Sequence, residues 1–172
     1  MEYDFFSGNR MWIPSVFRPA VSEQSPNAPR QTGAPGVLVV TADDKFYYLL
    51  LSLAIDLGWG IRRARNLVTA AQHMTAHPMP IVVYDERLPY SHWRDGVRAL
   101  GLFEAHPLIV LATRRLDEEI WRIVLECKGY DALERSARKE EWIRTLRFAW
   151  LSYCRPAEEL DCLPAAALSN RR

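Results

Sequence analysis

The sequence has little of what would mark a disulfide-bonded or membrane-spanning protein. It contains three cysteines in 172 residues, and no two of them form a Cys-x-x-Cys pair. An odd, scattered set of this kind favours a reduced chain, so we expect a cytoplasmic protein. No apolar run approaches the length needed to cross a bilayer. Residues 1–4 do not begin a basic and then apolar segment, so we expect no secretory signal.

Net charge is also small. The formal net charge is +1 at pH 7, which gives no electrostatic reason to expect nucleic acid or an anionic membrane as a partner. Basic residues occur in short groups, such as Arg62 with Arg63 and Arg114 with Arg115. Groups of this size are typical of a solvated surface and do not indicate a dedicated anion site. We therefore expect no nucleic acid and no membrane among the partners.

The motifs of common enzyme classes are missing as well. No Gly-rich phosphate loop follows the first apolar run, and there is no G-x-G-x-x-G, so nucleotide-binding folds lose their main support. Ser91, His92 and Asp95 lack the G-x-S-x-G elbow of a hydrolase. His73 and His77 have a metal-compatible spacing but no third ligand, which favours surface histidines. We expect a protein that is not an enzyme.

Proline and polar residues set residues 1–35 apart from the rest of the chain. Residues 22–36 have the composition of a disordered linker. Before them lies an apolar cluster that either folds back onto the domain, is disordered, or docks on a partner; the sequence leaves this open. Its members are Phe5, Phe6, Met11, Trp12, Ile13 and Phe17. Residues 154–172 are expected to form a frayed tail, which leaves residues 36–153 as the folded domain.

The folded domain alternates apolar runs with amphipathic segments. Four-residue runs such as 81–84, rich in β-branched residues, are typical of strands buried on both faces of a parallel sheet. Five strand–helix units with short crossovers predict a doubly wound α/β sandwich. Strands are predicted near residues 36–40, 61–64 (at a sheet edge), 81–84, 108–111 and 130–133. Helices are predicted near residues 45–57, 66–77, 91–102 with Ser91 as the cap, 117–129 and 139–153.

Polar residues follow these strands, where open α/β sheets place their functional groups. Four motifs follow one another across residues 36–153: VLVV at 37–40 followed by Asp43, VVYDERLP at 82–89, PLIVLAT at 107–113 and GYDAL at 129–133. In order and spacing, these motifs resemble the receiver domain of bacterial response regulators. The resemblance implies a flavodoxin-like, five-stranded parallel sheet with strand order 2-1-3-4-5.

The resemblance also implies phosphoryl transfer from a histidine kinase or phosphotransfer protein to an aspartate. Asp85 matches the acceptor position. The pattern of the family has two acidic residues directly after the first strand, which help to hold Mg²⁺. In this sequence those two positions carry Thr41 and Ala42. Asp43 lies one residue later, so Asp43 and Asp85 are the candidate Mg²⁺ ligands, with Glu86 as a partial substitute. Mg²⁺ needs fixed anionic ligands, and with so few carboxylates at this site we expect it to bind poorly.

Two further positions depart from the pattern of the family. The hydroxyl position after the fourth strand is Ala112, and Thr113 follows it. The lysine position after the fifth strand is Arg135, which keeps the charge but not the compact ammonium geometry. Thr113 and Arg135 are therefore the candidate groups beside Asp85. Arg135 and Asp85 are also predicted to be able to form a standing ion pair.

Two functions follow. The first is a stand-alone receiver-like module of a phosphorelay, with Asp85 as the phospho-acceptor and protein contacts as its output. The second is a phosphorylation-independent pseudo-receiver adaptor; a flavodoxin-like domain that binds a small ligand has less support. The fourth helix, fifth strand and fifth helix form the face on which the resemblance implies a partner or a second copy would dock. Candidate residues on that face are Trp121, Tyr130, Trp142 and Arg144.

Overall fold

The computed structural model describes residues 35–154. They form one parallel five-stranded sheet with strand order β2-β1-β3-β4-β5, and five helices alternate with the strands. The predicted architecture and strand order are confirmed. The elements are β1 (Gly36–Val40), α1 (Asp44–Leu57), β2 (Gly60–Ala64), α2 (Leu67–Ala76), β3 (Ile81–Asp85), α3 (Trp93–Gly101), β4 (Leu108–Thr113), α4 (Glu118–Glu126), β5 (Asp131–Glu134) and α5 (Lys139–Cys154).

The predicted N-terminal extension, apart from Pro35, and almost all of the predicted C-terminal tail lie outside the described residues. The expectations about the aromatic segment near the N-terminus therefore stay predictions. In the described part of the chain, no helix combines the length and the hydropathy needed to cross a bilayer.

The central strands are apolar because both of their faces are covered. Strands β1 and β3 are buried at every residue, whereas β2 lies at the sheet edge and alternates in exposure. Alternate residues of β1 face opposite sides of the sheet. Leu38 belongs to the core cluster that includes residues of α2, α3 and α4. Val39 belongs to the cluster that includes residues of α1 and α5.

The start of α3 differs from the prediction. The helix is capped by His92, whose Nδ1 accepts from the Arg94 backbone N–H, and Ser91 is not the cap. The Ser91 hydroxyl instead lies 2.9 Å from the Tyr84 hydroxyl. Tyr84 is fully buried, and a buried phenol needs a hydrogen-bond partner. Burial raises the pKa of Tyr84 above its usual value.

The same tyrosine requires a glycine in α3. A Cβ added to Gly96 would lie 2.3 Å from the Tyr84 hydroxyl oxygen. The ring is buried and cannot swing away, so only glycine allows α3 to pack this closely on β3. This contact sets the position of α3 against the strand that ends at Asp85.

The placement of Trp142 corrects a prediction. Trp142 was expected on the docking face, but its exposed fraction is 0%. Its ring packs edge-on against Phe46 of α1, with centroids 5.8 Å apart. It lies on the sheet-facing side of α5 with Leu146 and Ala149, which follow it at helical spacing. Trp142 is a core residue between α1 and α5.

Candidate functional site

The carboxyl ends of β1, β3, β4 and β5 bring the candidate side chains together. Asp85 is the last residue of β3 and pairs with Ala112 of β4. Thr113 ends β4 and pairs with Glu134 of β5, and the next residue, Arg135, donates its backbone N–H to the Thr113 carbonyl at 2.8 Å. The parallel register therefore places all three predicted residues at one edge of the sheet.

Asp85 is almost completely enclosed. Its exposed fraction is 1%, and both carboxylate oxygens accept hydrogen bonds. The Thr41 hydroxyl donates to Oδ2 at 2.6 Å, and the Arg87 backbone N–H donates to Oδ1 at 3.0 Å. A guanidinium nitrogen of Arg135, Nη1, lies 3.7 Å from Oδ1. A buried carboxylate needs such partners, because its charge has lost its water.

Arg135 joins two carboxylates. Its Nη2 donates to Asp43 Oδ2 at 2.5 Å, while its Nη1 faces Asp85 and has no hydrogen-bond partner. The guanidinium also lies over the Phe46 ring, 4.6 Å from the ring centroid. The hydrogen bond from Arg135 and one from the Phe46 backbone N–H hold the pKa of Asp43 below its usual value.

Asp43 has a second role, as the N-cap of α1. Its Oδ1 accepts from the Lys45 backbone N–H at 2.9 Å and from the Phe46 backbone N–H at 3.3 Å. These bonds satisfy two N–H groups that the first helical turn leaves free. The Asp43 carboxylate is thus divided between helix capping and Arg135, and this carboxylate is linked to Asp85 only through the arginine.

Thr113 is brought to the edge but serves another acid. Its buried hydroxyl hydrogen-bonds to a Glu86 carboxylate oxygen, and the Arg114 backbone N–H donates to the same oxygen at 2.8 Å. Ala112, which faces Asp85 across the sheet, carries no hydroxyl. The structure therefore places Thr113 and Glu86 in a pair beside the Asp85 network.

Thr41 is the site residue whose contacts the sequence did not predict. In the sequence it is notable only as a position where an acidic residue is missing. Its side chain is fully buried, it donates to Asp85, and it accepts from the Asp43 backbone N–H at 3.0 Å. A signal was available, since a hydroxyl directly after a buried strand can donate to a carboxylate ending the neighbouring strand.

The residues present do not fit Mg²⁺. This ion needs fixed oxygen ligands in octahedral geometry, and here the Arg135 guanidinium already occupies the position between Asp43 and Asp85. The Asp85 oxygen that is not next to Arg135 is taken by Thr41. Within residues 35–154, no group of three or more His, Cys, Asp or Glu side chains is placed to hold a metal. His73 and His77 therefore have no third ligand in this part of the chain.

A second surface lies across α4, β5 and α5. A groove of about 450 Å³ is lined there by Trp121, Tyr130 and Phe148, among others. Trp121 is 45% exposed and Phe148 56%. The Trp121 indole N–H donates to Asp131 at 3.2 Å, which fixes the ring over the groove. Arg144 is exposed on the same helix as Phe148.

Comparisons with known proteins agree on the fold. No protein-family profile matches the sequence, and no curated protein matches it. Solved structures do match. The chemotaxis response regulator CheY4 of Vibrio cholerae has 15% identity and a TM-score of 0.63, covering 68% of this chain and 99% of its own.

Two further structures give the same result. The signal receiver domain of an HD domain-containing protein from Pseudomonas fluorescens Pf-5 has 19% identity and a TM-score of 0.64, over 70% of this chain and 98% of that one. A response regulator from Thermotoga maritima has 12% identity and a TM-score of 0.62, over 68% and 98%. Residues 35–154 therefore have the flavodoxin-like fold of response-regulator receiver domains.

Proposed function

We propose that this chain is a signalling module of the receiver type that acts through protein contacts and does not depend on phosphorylation. The observation that supports this most is the state of Asp85. Its two oxygens are occupied by a hydroxyl and a backbone amide, and Arg135 stands beside it. We propose no enzymatic turnover for such a module.

The chemistry of phosphoryl transfer explains why this network matters. A carboxylate nucleophile must present a free oxygen to the phosphorus, and a metal ion must offset the charge that collects there. Asp85 has almost no exposed surface. The two positions where acidic residues would hold the metal carry Thr41 and Ala42 instead. Phosphorylation would bring negative charge to this edge of the sheet. Arg135, the cation that could balance it, is already paired with Asp43 and Asp85.

The output of the module is a protein contact on the α4–β5–α5 surface. Trp121, Phe148 and Leu151 leave large apolar areas exposed there, and half-buried aromatic rings next to polar groups are typical of protein interfaces. The occupant would be a partner protein or a second copy of this chain.

A direct experiment tests the proposal. The full chain is incubated with Mg²⁺ and acetyl phosphate, and its intact mass is measured beside a receiver domain that has the complete acidic pair. We expect that control to gain one phosphoryl group and this chain to gain none. A gain by the wild-type chain that Asp85→Asn abolishes would overturn the proposal. The Thr41→Asp variant, which restores one acid, shows whether the missing carboxylate is the reason.

The second candidate is the phosphorelay module, with Asp85 as phospho-acceptor and a histidine kinase or phosphotransfer protein as donor. The position of Asp85 at the end of β3, the central strand, with the cation of Arg135 beside it, is the observation that favours it. The two candidates make opposite predictions for the same mass measurement.

A further inference from the structure

A cleft of about 430 Å³ lies over Arg135 at the carboxyl edge of the sheet. It is lined by four cations, one from each chain segment that follows β1, β3, β4 and β5. These cations are Lys45, Arg87, Arg114 and Arg135. Asp43 is the one acid among the lining residues. Four segments far apart in sequence thus bring positive charge to a single concave surface.

Three of these cations have no carboxylate of their own. Among residues 35–154, Lys45, Arg87 and Arg114 take part in no ion pair. Arginines elsewhere do find acids: Arg63 and Arg65 share Asp44. Glu86 is near Arg114, and its Oε2 accepts hydrogen bonds from the Thr113 hydroxyl and the Arg114 backbone N–H, but it forms no ion pair with the Arg114 side chain among residues 35–154.

Such an arrangement has a physical cost that an anion removes. Like charges gathered on one surface repel one another. Arginine side chains present paired N–H donors whose geometry matches phosphate oxygens. A dianion would therefore gain charge-assisted hydrogen bonds while relieving the repulsion among the cations.

The cleft also has an apolar part. Phe46 lies under the Arg135 guanidinium and is only 4% exposed, so the apolar surface that a ligand can reach is that of Leu49, which is 36% exposed and lines the same cleft. A bare inorganic ion would leave this surface wet. A ligand that carries a small aromatic or aliphatic group next to its phosphate would cover it.

We propose that this cleft binds a small phosphate monoester non-covalently and without a metal ion. The ester's dianion is held by Arg87, Arg114 and Lys45, and its organic group covers Leu49. The proposal departs from the expectation that the pair Arg114 and Arg115 is only solvated surface. The proposal goes beyond the proposed function, because it needs no chemistry at Asp85.

Isothermal titration calorimetry on the full chain tests it, in EDTA and at fixed ionic strength. The probes are phenyl phosphate, inorganic phosphate and phenol. We expect saturable binding of phenyl phosphate, a several-fold weaker affinity for inorganic phosphate, and no binding of phenol. The double variant Arg87→Gln/Arg114→Gln should weaken phenyl phosphate by about tenfold or more, the usual effect of losing charged hydrogen bonds.

A matched control separates the site from general charge. The variant Arg98→Gln/Arg147→Gln removes two other exposed arginines that form no ion pair among the described residues, so it lowers the net charge equally. It should bind phenyl phosphate as the wild type does. An equal loss in both variants, or no saturable binding by the wild type, would overturn the proposal. Equal affinity for the two phosphates would overturn its apolar half.

The result cannot be confused with the test of phosphorylation. Titration in EDTA excludes the metal that transfer to Asp85 would need, and an unchanged intact mass measured directly after the titration excludes a covalent product. Binding in the cleft and a phosphorylated Asp85 are thus separate readouts, and either can fail alone.

Discussion

The Asp85 network and the α4–β5–α5 surface differ in what the chain has left free. At the network, each oxygen of a buried carboxylate is matched by a donor from the same chain, Thr41 or the Arg87 amide. On the surface, Trp121 and Phe148 keep about half of their area in contact with water. The polar groups of the first region are matched within the chain, and the second region leaves apolar area exposed to solvent.

This difference fits the proposed module that does not depend on phosphorylation. In a switch, a movable group at the strand ends must respond to a new charge and bias a second surface. Here the charge of Arg135 is already matched by Asp43 and Asp85. The α4–β5–α5 surface, which we propose for docking, would then depend on the stability of the fold and not on a new charge at Asp85, and substitutions at the two regions should have different consequences.

The largest effect is expected from a comparison of Trp142 with Trp121, which the sequence analysis placed together on the docking face. Trp142→Ala removes a fully buried ring and should lower the free energy of unfolding by about 3–5 kcal/mol. Trp121→Ala removes a half-exposed ring and should cost about 1 kcal/mol or less. Urea unfolding followed by circular dichroism measures both values.

If Trp142→Ala does not fold, Trp142→Phe serves in its place, because it leaves a smaller cavity. Similar costs for the substitutions at Trp142 and Trp121 would contradict the assignment of one ring to the core and the other to the surface. They would also remove the contrast between a closed region and an open one.

The sequence predicted the fold well for a clear physical reason. Strands buried on both faces must be apolar throughout, so β1, β3 and β4 were visible as uninterrupted runs. The arginines of β2 correctly indicated an edge strand. Asp43 and Asp117 cap the helices that were predicted to begin near residues 45 and 117, because a carboxylate before an amphipathic segment satisfies the free N–H groups of its first turn.

The site was less predictable, because its contacts depend on three-dimensional register. The Thr41–Asp85 hydrogen bond joins residues 44 positions apart, and the Arg135–Asp43 bond joins residues 92 positions apart. No local pattern encodes either distance. Trp142 is a different case: its spacing to Leu146 and Ala149 marks the buried side of α5, and the family resemblance outweighed that signal.

Thr41→Val tests the closed region with an intermediate effect. Valine keeps the shape of threonine but removes the hydroxyl that donates to Asp85 and accepts from the Asp43 backbone N–H. A buried carboxylate that loses a donor should cost about 2 kcal/mol, measured by urea unfolding. Thr75→Val is the matched control, because its exposed hydroxyl bonds only to the Ala71 carbonyl, and its cost should stay within about 0.5 kcal/mol.

An unchanged stability of Thr41→Val would mean that Asp85 finds another donor or water at once. The network would then be open rather than closed, and the contrast with the α4–β5–α5 surface would be lost. The same variant in the phosphodonor experiment should still show no mass gain, because valine supplies no acid.

The smallest effect is expected from the pH dependence of the Asp43–Arg135 pair. The hydrogen bond from Arg135 lowers the pKa of Asp43 in the folded chain, so its contribution is present above the unfolded value near pH 4 and is lost as pH falls through the lower folded pKa. Asp43→Asn keeps the helix cap but carries no charge. Between about pH 6 and pH 2.5, the wild type should lose about 0.5–1 kcal/mol more unfolding free energy than Asp43→Asn, because the pair is partly exposed.

Asp117→Asn, at a cap that forms no ion pair in residues 35–154, should show a smaller difference from the wild type. Equal differences for the two variants would mean that Arg135 adds nothing to Asp43 beyond the cap, which would leave Arg135 available to a ligand in the cleft.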